Sequence, residues 1–213
     1  MNPEQVSSLP PEGGYPVKLG VTTEREMNRL WGIPFIGIMI RAFLAIPHFV
    51  VLNVLQVVIW GWNVFLGWIP ILLNGRVPAL YLQIVTEYLQ RSSRVAGYVA
   101  FMMPSGYPPL EPGPSKPINV QLNPETLEIN RLWGIPFIGL FFRFLALIPH
   151  FVVISILGTV AVIAWLFVWI PVLLLGRYPD WAATLFGMLL RYGVRMGAWI
   201  MFMPIPYPPI LPD

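Results

Sequence analysis

His48 and His150 are the only imidazoles in the 213-residue chain, and each directly follows a proline (Pro47, Pro149). A neutral imidazole nitrogen is a good axial ligand for haem or a chlorophyll-type pigment. Neighbouring Trp and Phe residues would pack against such a macrocycle. The competing reading is a histidine in the first turn of a helix, bonded to a backbone group or a lipid headgroup. The arginines form a second set. Arg41 and Arg143 occupy equivalent places in apolar runs, where they would hold an anion or lipid phosphate, or snorkel to the headgroups. Arg76 and Arg177 belong to two Gly-Arg-x-Pro motifs and suit phosphate contact at headgroup depth. Arg191 and Arg195 are further candidates for lipid or anion contact. Glu87 has glycine at position 187 and no partner carboxylate or base, which general acid–base catalysis needs. No Gly-x-Ser-x-Gly, His-Glu-x-x-His, P-loop or dinucleotide fingerprint is present. The absence of cysteine removes disulfides, thiolate catalysis, Cys-ligated zinc and iron–sulfur clusters. The expectation is a non-enzyme with no metal site.

These residues sit in a duplicated frame. Arg29 to Gly37 returns letter for letter as Arg131 to Gly139. Each copy leads into an apolar run carrying one arginine and a Pro-His pair, closes on Gly-Arg-x-Pro (Gly75 to Pro78, Gly176 to Pro179) and ends on Tyr-Pro-Pro (Tyr107 to Pro109, Tyr207 to Pro209). The chain is 56% hydrophobic and only 11% charged, against roughly 25% charged in a soluble domain. That deficit places it in a membrane. The net charge of +3 is read as arginine kept on one face of the bilayer, not as nucleic-acid binding. Nothing near the start has the basic-then-apolar pattern of a signal peptide.

The division read from this pattern is a flexible N-terminal tail (1–22), a first membrane repeat (23–110), a Pro-rich linker (111–122) and a second repeat with a Pro-rich tail (123–213). A capping box is read at Thr23 to Glu26. The run from Leu30 to Asn74 is about twice the ~30 Å hydrocarbon thickness if wholly helical. Arginines lie on both sides of it, and polar residues (Asn53, Gln56; Ser155, Gly158, Thr159) fall mid-run. The reading adopted is therefore a transmembrane helical hairpin in each repeat, with arms at 34–55 and 58–74, then 136–157 and 159–175. The competing reading is a short surface helix up to Ile46, then one tilted helix from Pro47, a residue suited to the first helical turn. Glu87, Arg91, Arg94 and Tyr98 share a helical stripe, as do Arg191, Arg195 and Trp199. Each repeat is thus expected to add an interfacial amphipathic helix. With no crossing in the linker, the repeats are expected to be parallel. The fold class is an all-α integral membrane protein, multi-pass in the cell inner membrane, with both termini cytoplasmic.

The combined order of Arg, Pro-His, Gly-Arg-x-Pro, Trp181, Arg191-Tyr192-x-x-Arg195 and Tyr-Pro-Pro resembles a widespread bacterial membrane-domain family of unknown function, found as single or tandem units. The resemblance covers about 29–110 and 131–210. It is fuller in the second unit: Val77-Pro78-Ala79 lacks the tryptophan, and Arg91-Ser92-Ser93-Arg94 replaces Arg-Tyr-x-x-Arg. It implies a membrane location and no particular activity. The functional expectation is a non-catalytic accessory or scaffold subunit of a larger bacterial membrane complex, whose partners are other membrane subunits and phospholipids. The alternatives are a small transporter or channel, and a haem or pigment carrier through His48 and His150.

Overall fold

The computed structural model describes residues 15–21, 26–103, 106–111, 118–122 and 127–210. The proposed capping box lies mostly outside them. The same order of elements is built twice. Strand β1 (Val17–Val21) is followed by a 3-10 turn at Arg29–Gly32 and helix α1 (Ile36–Leu44). Helix α2 (Ile46–Gly61) runs through a π-helical turn, Trp62–Leu66, into α3 (Trp68–Asn74). Helix α4 (Ala79–Val95) ends in a second π-helical turn at Ala96–Ala100. The second copy has β2 (Ile118–Leu122), a 3-10 turn at Arg131–Gly134, α5 (Ile138–Ala146), α6 (Ile148–Leu175) and α7 (Asp180–Ile200).

The element boundaries derive from the repeated motifs. Asn28 and Asn130 cap the 3-10 turns by accepting from the Leu30 and Leu132 amides, each at 3.0 Å. Pro47 and Pro149 occupy the first turns of α2 and α6, where no amide is required. Gly75 and Gly176 end α3 and α6 at φ 64° and 65°, a left-handed conformation that glycine adopts without penalty. Pro78 and Pro179 then stand at the N-caps of α4 and α7.

The hairpin expectation is corrected. Helix α6 passes through Gly158 unbroken, and the break in each run falls at Ala45 and Leu147, as the competing reading has it. A glycine inside a helix costs only about 1 kcal/mol relative to alanine. The polar residues taken for a turn are satisfied on the helix itself: Ser155 donates to Phe151 O (2.6 Å), Thr159 to Ser155 O (2.8 Å) and Asn53 to Phe49 O (2.8 Å). Among the described residues, Ile46–Leu66 and Ile148–Leu175 are long and apolar enough to cross a membrane.

The segments read as a flexible tail and a linker each hold a strand. The equivalent strands pair antiparallel with Leu19 opposite Val120, from Val17 opposite Leu122 to Val21 opposite Ile118. The hydroxyl of Tyr178, just before α7, donates to Phe101 O at the end of α4 (2.7 Å). Tyr81, in the first turn of α4, lies 3.1 Å from Met201 O at the end of α7. Start therefore meets end, α4 and α7 run antiparallel, and a pseudo-twofold axis passes through the strand pair. The cause is long-range strand pairing. It joins a segment read as tail to one read as linker, which no local pattern announces.

Nor are α4 and α7 surface helices. Val85, Leu89, Phe186, Tyr192 and Ala198 are buried in the core they form with Leu19, Ile118, Met103 and Met203. The 3-10 turns tie the repeats together by exchange. The turn at Arg29–Gly32 packs on α6 and the turn at Arg131–Gly134 on α3, so close that a Cβ on Gly32 would stand 2.5 Å from Leu173 N. Met27 N bonds Gly176 O and Ile129 N bonds Gly75 O, both at 2.9 Å.

Candidate functional site

The residues with chemical potential gather at two symmetry-related places, where α1 meets the end of α4 and α5 meets the end of α7. Arg41 is buried. Its Nη1 donates to Tyr98 O (2.8 Å) and Met103 O (2.9 Å), and its guanidinium lies 4.8 Å from the centroids of both the Trp31 and Tyr98 rings. Arg143 repeats this: Nη1 donates to Trp199 O, and Trp133, Trp199 and Phe202 surround it at 5.1, 4.8 and 4.7 Å. The last carbonyls of a helix lack intrahelical partners and carry the negative end of its dipole. A cation in an aromatic cage answers both needs. Burial pulls the guanidinium of Arg41 below its usual value to about 10, and that of Arg143 to about 9. Both remain cationic at neutral pH.

The histidines stand one turn behind these cages. His150 is fully buried, with Nε2 3.2 Å from Pro208 O and Nδ1 3.0 Å from the Tyr207 hydroxyl, which also reaches Ala146 O at 2.7 Å. Tyr192 stacks on its ring at 5.7 Å. His48 is equally buried, lies 5.1 Å from the Tyr107 ring and faces the Pro108 backbone as His150 faces that of Pro208. Each Tyr-Pro-Pro segment thus closes over the histidine of its own repeat. The two imidazoles are not brought together.

The remaining arginines divide by burial. Arg91 Nη2 bonds Glu87 Oε1 at 2.6 Å, an i,i+4 ion pair on α4, and Leu110 O at 2.9 Å. Arg94 Nε donates to Ile118 O (3.3 Å), and Arg195 lies 5.3 Å from the Tyr15 ring. Arg191 is half-buried. Arg76 is exposed and pairs at 3.1 Å with Glu128 of the other repeat, in an open cleft with Asn74 and Arg131. Arg177 is exposed and forms the equivalent backbone bridge with Glu26. Among the described residues no three His, Asp or Glu side chains are grouped to hold a metal. The apolar clefts where the 3-10 turns meet α3 and α6 have volumes of about 10 and 50 Å³, far below the ~300 Å³ of a small-molecule site.

One residue escaped the sequence reading. Gln90 donates from Nε2 to Ile118 O (2.6 Å) and accepts from Val120 N, so an α4 side chain completes the β2 edge as a strand would. In the sequence it is one polar residue among several on α4, beside Glu87, Arg91 and Arg94.

A family profile described as "Domain of unknown function (DUF4389)" matches residues 36–109 and again 138–210. The chain belongs to this family. It carries the DUF4389 domain in tandem, and each match runs from the start of α1 or α5 to the Tyr-Pro-Pro segment, so one domain contains one histidine pocket and one arginine cage except for its Trp31 or Trp133 wall. No curated protein and no solved structure matches the chain. The β-strands and 3-10 turns that join the two DUF4389 units lie outside both matches.

Proposed function

We propose that this tandem DUF4389 chain is a non-catalytic accessory or scaffold subunit of a larger bacterial membrane assembly. One observation carries the reading. The buried polar side chains hold backbone together, while the large apolar side chains of α1, α2, α5 and α6 point outward. Ile36, Met39, Ile40 and Phe43 on α1 and Phe141, Phe142 and Leu145 on α5 are all exposed. Those faces suit lipid and other membrane subunits, and a surface so apolar is unusual in a soluble monomer. The inner membrane is the proposed location, with both chain ends on the cytoplasmic side. The meeting of the first and last described segments supports this: the Tyr15 hydroxyl donates to Pro206 O (3.0 Å). A second reading, ligation of haem or a pigment, has the aromatic rings packed on the two buried histidines in its favour.

Purification from native membranes in mild detergent decides between them. The accessory reading expects partner subunits in fixed ratio and no visible absorption band. A protein that runs alone overturns it. A band lost in His48→Ala would instead favour the carrier.

A further inference from the structure

We infer that the molecule lies flat in one leaflet of the bilayer, with its pseudo-twofold axis along the membrane normal and α2–α3 and α6 parallel to the surface, and that neither long helix crosses. This rests on the membrane residence proposed above.

Helix α4 is covered on two sides. Tyr81 stacks on Trp62 at 5.6 Å and lies 2.6 Å from Asn63 Oδ1, while Gln90 binds β2. Nine residues separate Tyr81 from Gln90, and at 100° per residue they point to opposite sides of the helix. The strand pair and the long helix therefore cover opposite faces of α4. The pseudo-twofold places α7 between β1 and α6 in the same way. The result is three layers: ribbon, central helices, long helices. The outer face of the third layer is mostly apolar, from Val50 and Val57 to Phe65 and Leu73 on α2–α3, and from Val152 and Val162 to Leu166 and Leu174 on α6; the exposed Asn53, Ser155 and Thr159 among them each donate to a carbonyl of their own helix.

The ribbon fixes the orientation. It sits against the middle of α4, where Gln90 lies. If α4 and its neighbours crossed the membrane, the exposed side chains of Lys18 and Gln121 would stand at the bilayer centre. A charged side chain is strongly disfavoured there. Laid flat, the ribbon and both chain ends face water, and the apolar layer faces acyl chains.

Two further features fit that surface. Phe35 and Phe137 hold rare positive-φ backbone (φ 64°, ψ −43° and φ 59°, ψ −41°) at the centres of γ-turns closed by Ile36 N and Ile138 N on Pro34 O and Pro136 O, and each residue is 71% exposed. Strained backbone repeated at both copies thus projects two large apolar rings into the same layer. Arg76 with Arg131 and Arg177 with Arg29 form exposed basic pairs at opposite ends of the antiparallel pair. In the flat orientation both meet anionic headgroups of one leaflet.

The chain has no cysteine, so single-cysteine spin labels report without background. Labels at Val50, Val57, Phe65 and Leu73, and at Val152, Val162 and Leu174, in phosphatidylethanolamine–phosphatidylglycerol vesicles give a depth profile for each helix. The expected result is one depth along each helix, within a helix diameter of about 10 Å, and a label at Lys18 in water. A depth changing by about 1.5 Å per residue from Val50 to Leu73 overturns the flat orientation and leaves membrane residence standing. Labels that all report water, with protein released from the vesicles at alkaline pH, overturn membrane residence itself.

Discussion

Arg143 and Arg76 show how one residue type serves two ends. The Arg143 guanidinium is enclosed by three aromatic rings and bonded to the last turn of α7. Arg143→Ala takes the charged donor from that carbonyl, which keeps only the Phe202 amide at 3.3 Å, and opens a cavity between the rings, so we expect a loss of about 2–4 kcal/mol, read as a lower thermal midpoint in detergent. Arg76 has 66% of its side chain exposed, and an ion pair so placed contributes about 0–1 kcal/mol. Arg76→Ala should leave the midpoint nearly unchanged and weaken binding to anionic vesicles. Equal losses for the two variants would refute the division. The sequence made both residues legible as cations in apolar surroundings. Their destinations were not legible, because the carbonyls that bind Arg41 lie 57 and 62 positions further along the chain.

The elements carry a record of small insertions. His48 corresponds to His150, 102 positions on; Gly75 to Gly176, 101 on; Tyr107 to Tyr207, 100 on. The first repeat therefore holds one extra residue between His48 and Gly75 and another before Tyr107. Each coincides with a π-helical turn, Trp62–Leu66 and Ala96–Ala100, that its counterparts α6 and α7 lack. A π turn absorbs one residue without rotating the helix beyond it. Deleting Phe65, whose ring is 71% exposed, should convert the first turn to regular helix at a cost within about 1 kcal/mol. Deleting Ile163 from α6 should instead rotate the remainder by 100°, turn Val168 and Val172 out of the core and prevent folding. Circular dichroism and thermal melts of the two deletions would separate them, and comparable damage from both would count against the insertion account. At this scale the sequence was most legible. Asn caps, glycine stops and proline starts mark nearly every boundary, whereas Gly158 misled because lone glycines break helices less often than glycines at helix ends do.

At the scale of the whole molecule the two repeats are not independent domains joined by a linker. Each 3-10 turn completes the other repeat's long helix, and the strand pair closes across the pseudo-twofold. The sequence showed two copies and hid their exchange, since side-by-side and exchanged repeats have the same local pattern. Only the glycines hint at it. Gly32 and Gly134 sit where a Cβ would stand 2.5 Å from Leu173 N and 2.9 Å from Leu72 N, contacts with backbone that cannot move aside cheaply. Gly32→Ala should therefore loosen the docking of the repeats by about 1–3 kcal/mol, seen as faster hydrogen exchange in α6 with little change in α2. The same exchange predicts how the halves behave. Residues 112–213 expressed alone present a strand, an α6 end and a 3-10 turn that each lack their partner, and a pseudo-twofold interface that can be satisfied by a second copy. They should form a symmetric dimer, or combine with co-expressed residues 1–111 into the native two-repeat molecule. If residues 112–213 instead purified as a folded, stable monomer, the exchanged turns would be ornament to a self-sufficient domain, and the tandem arrangement would need another cause.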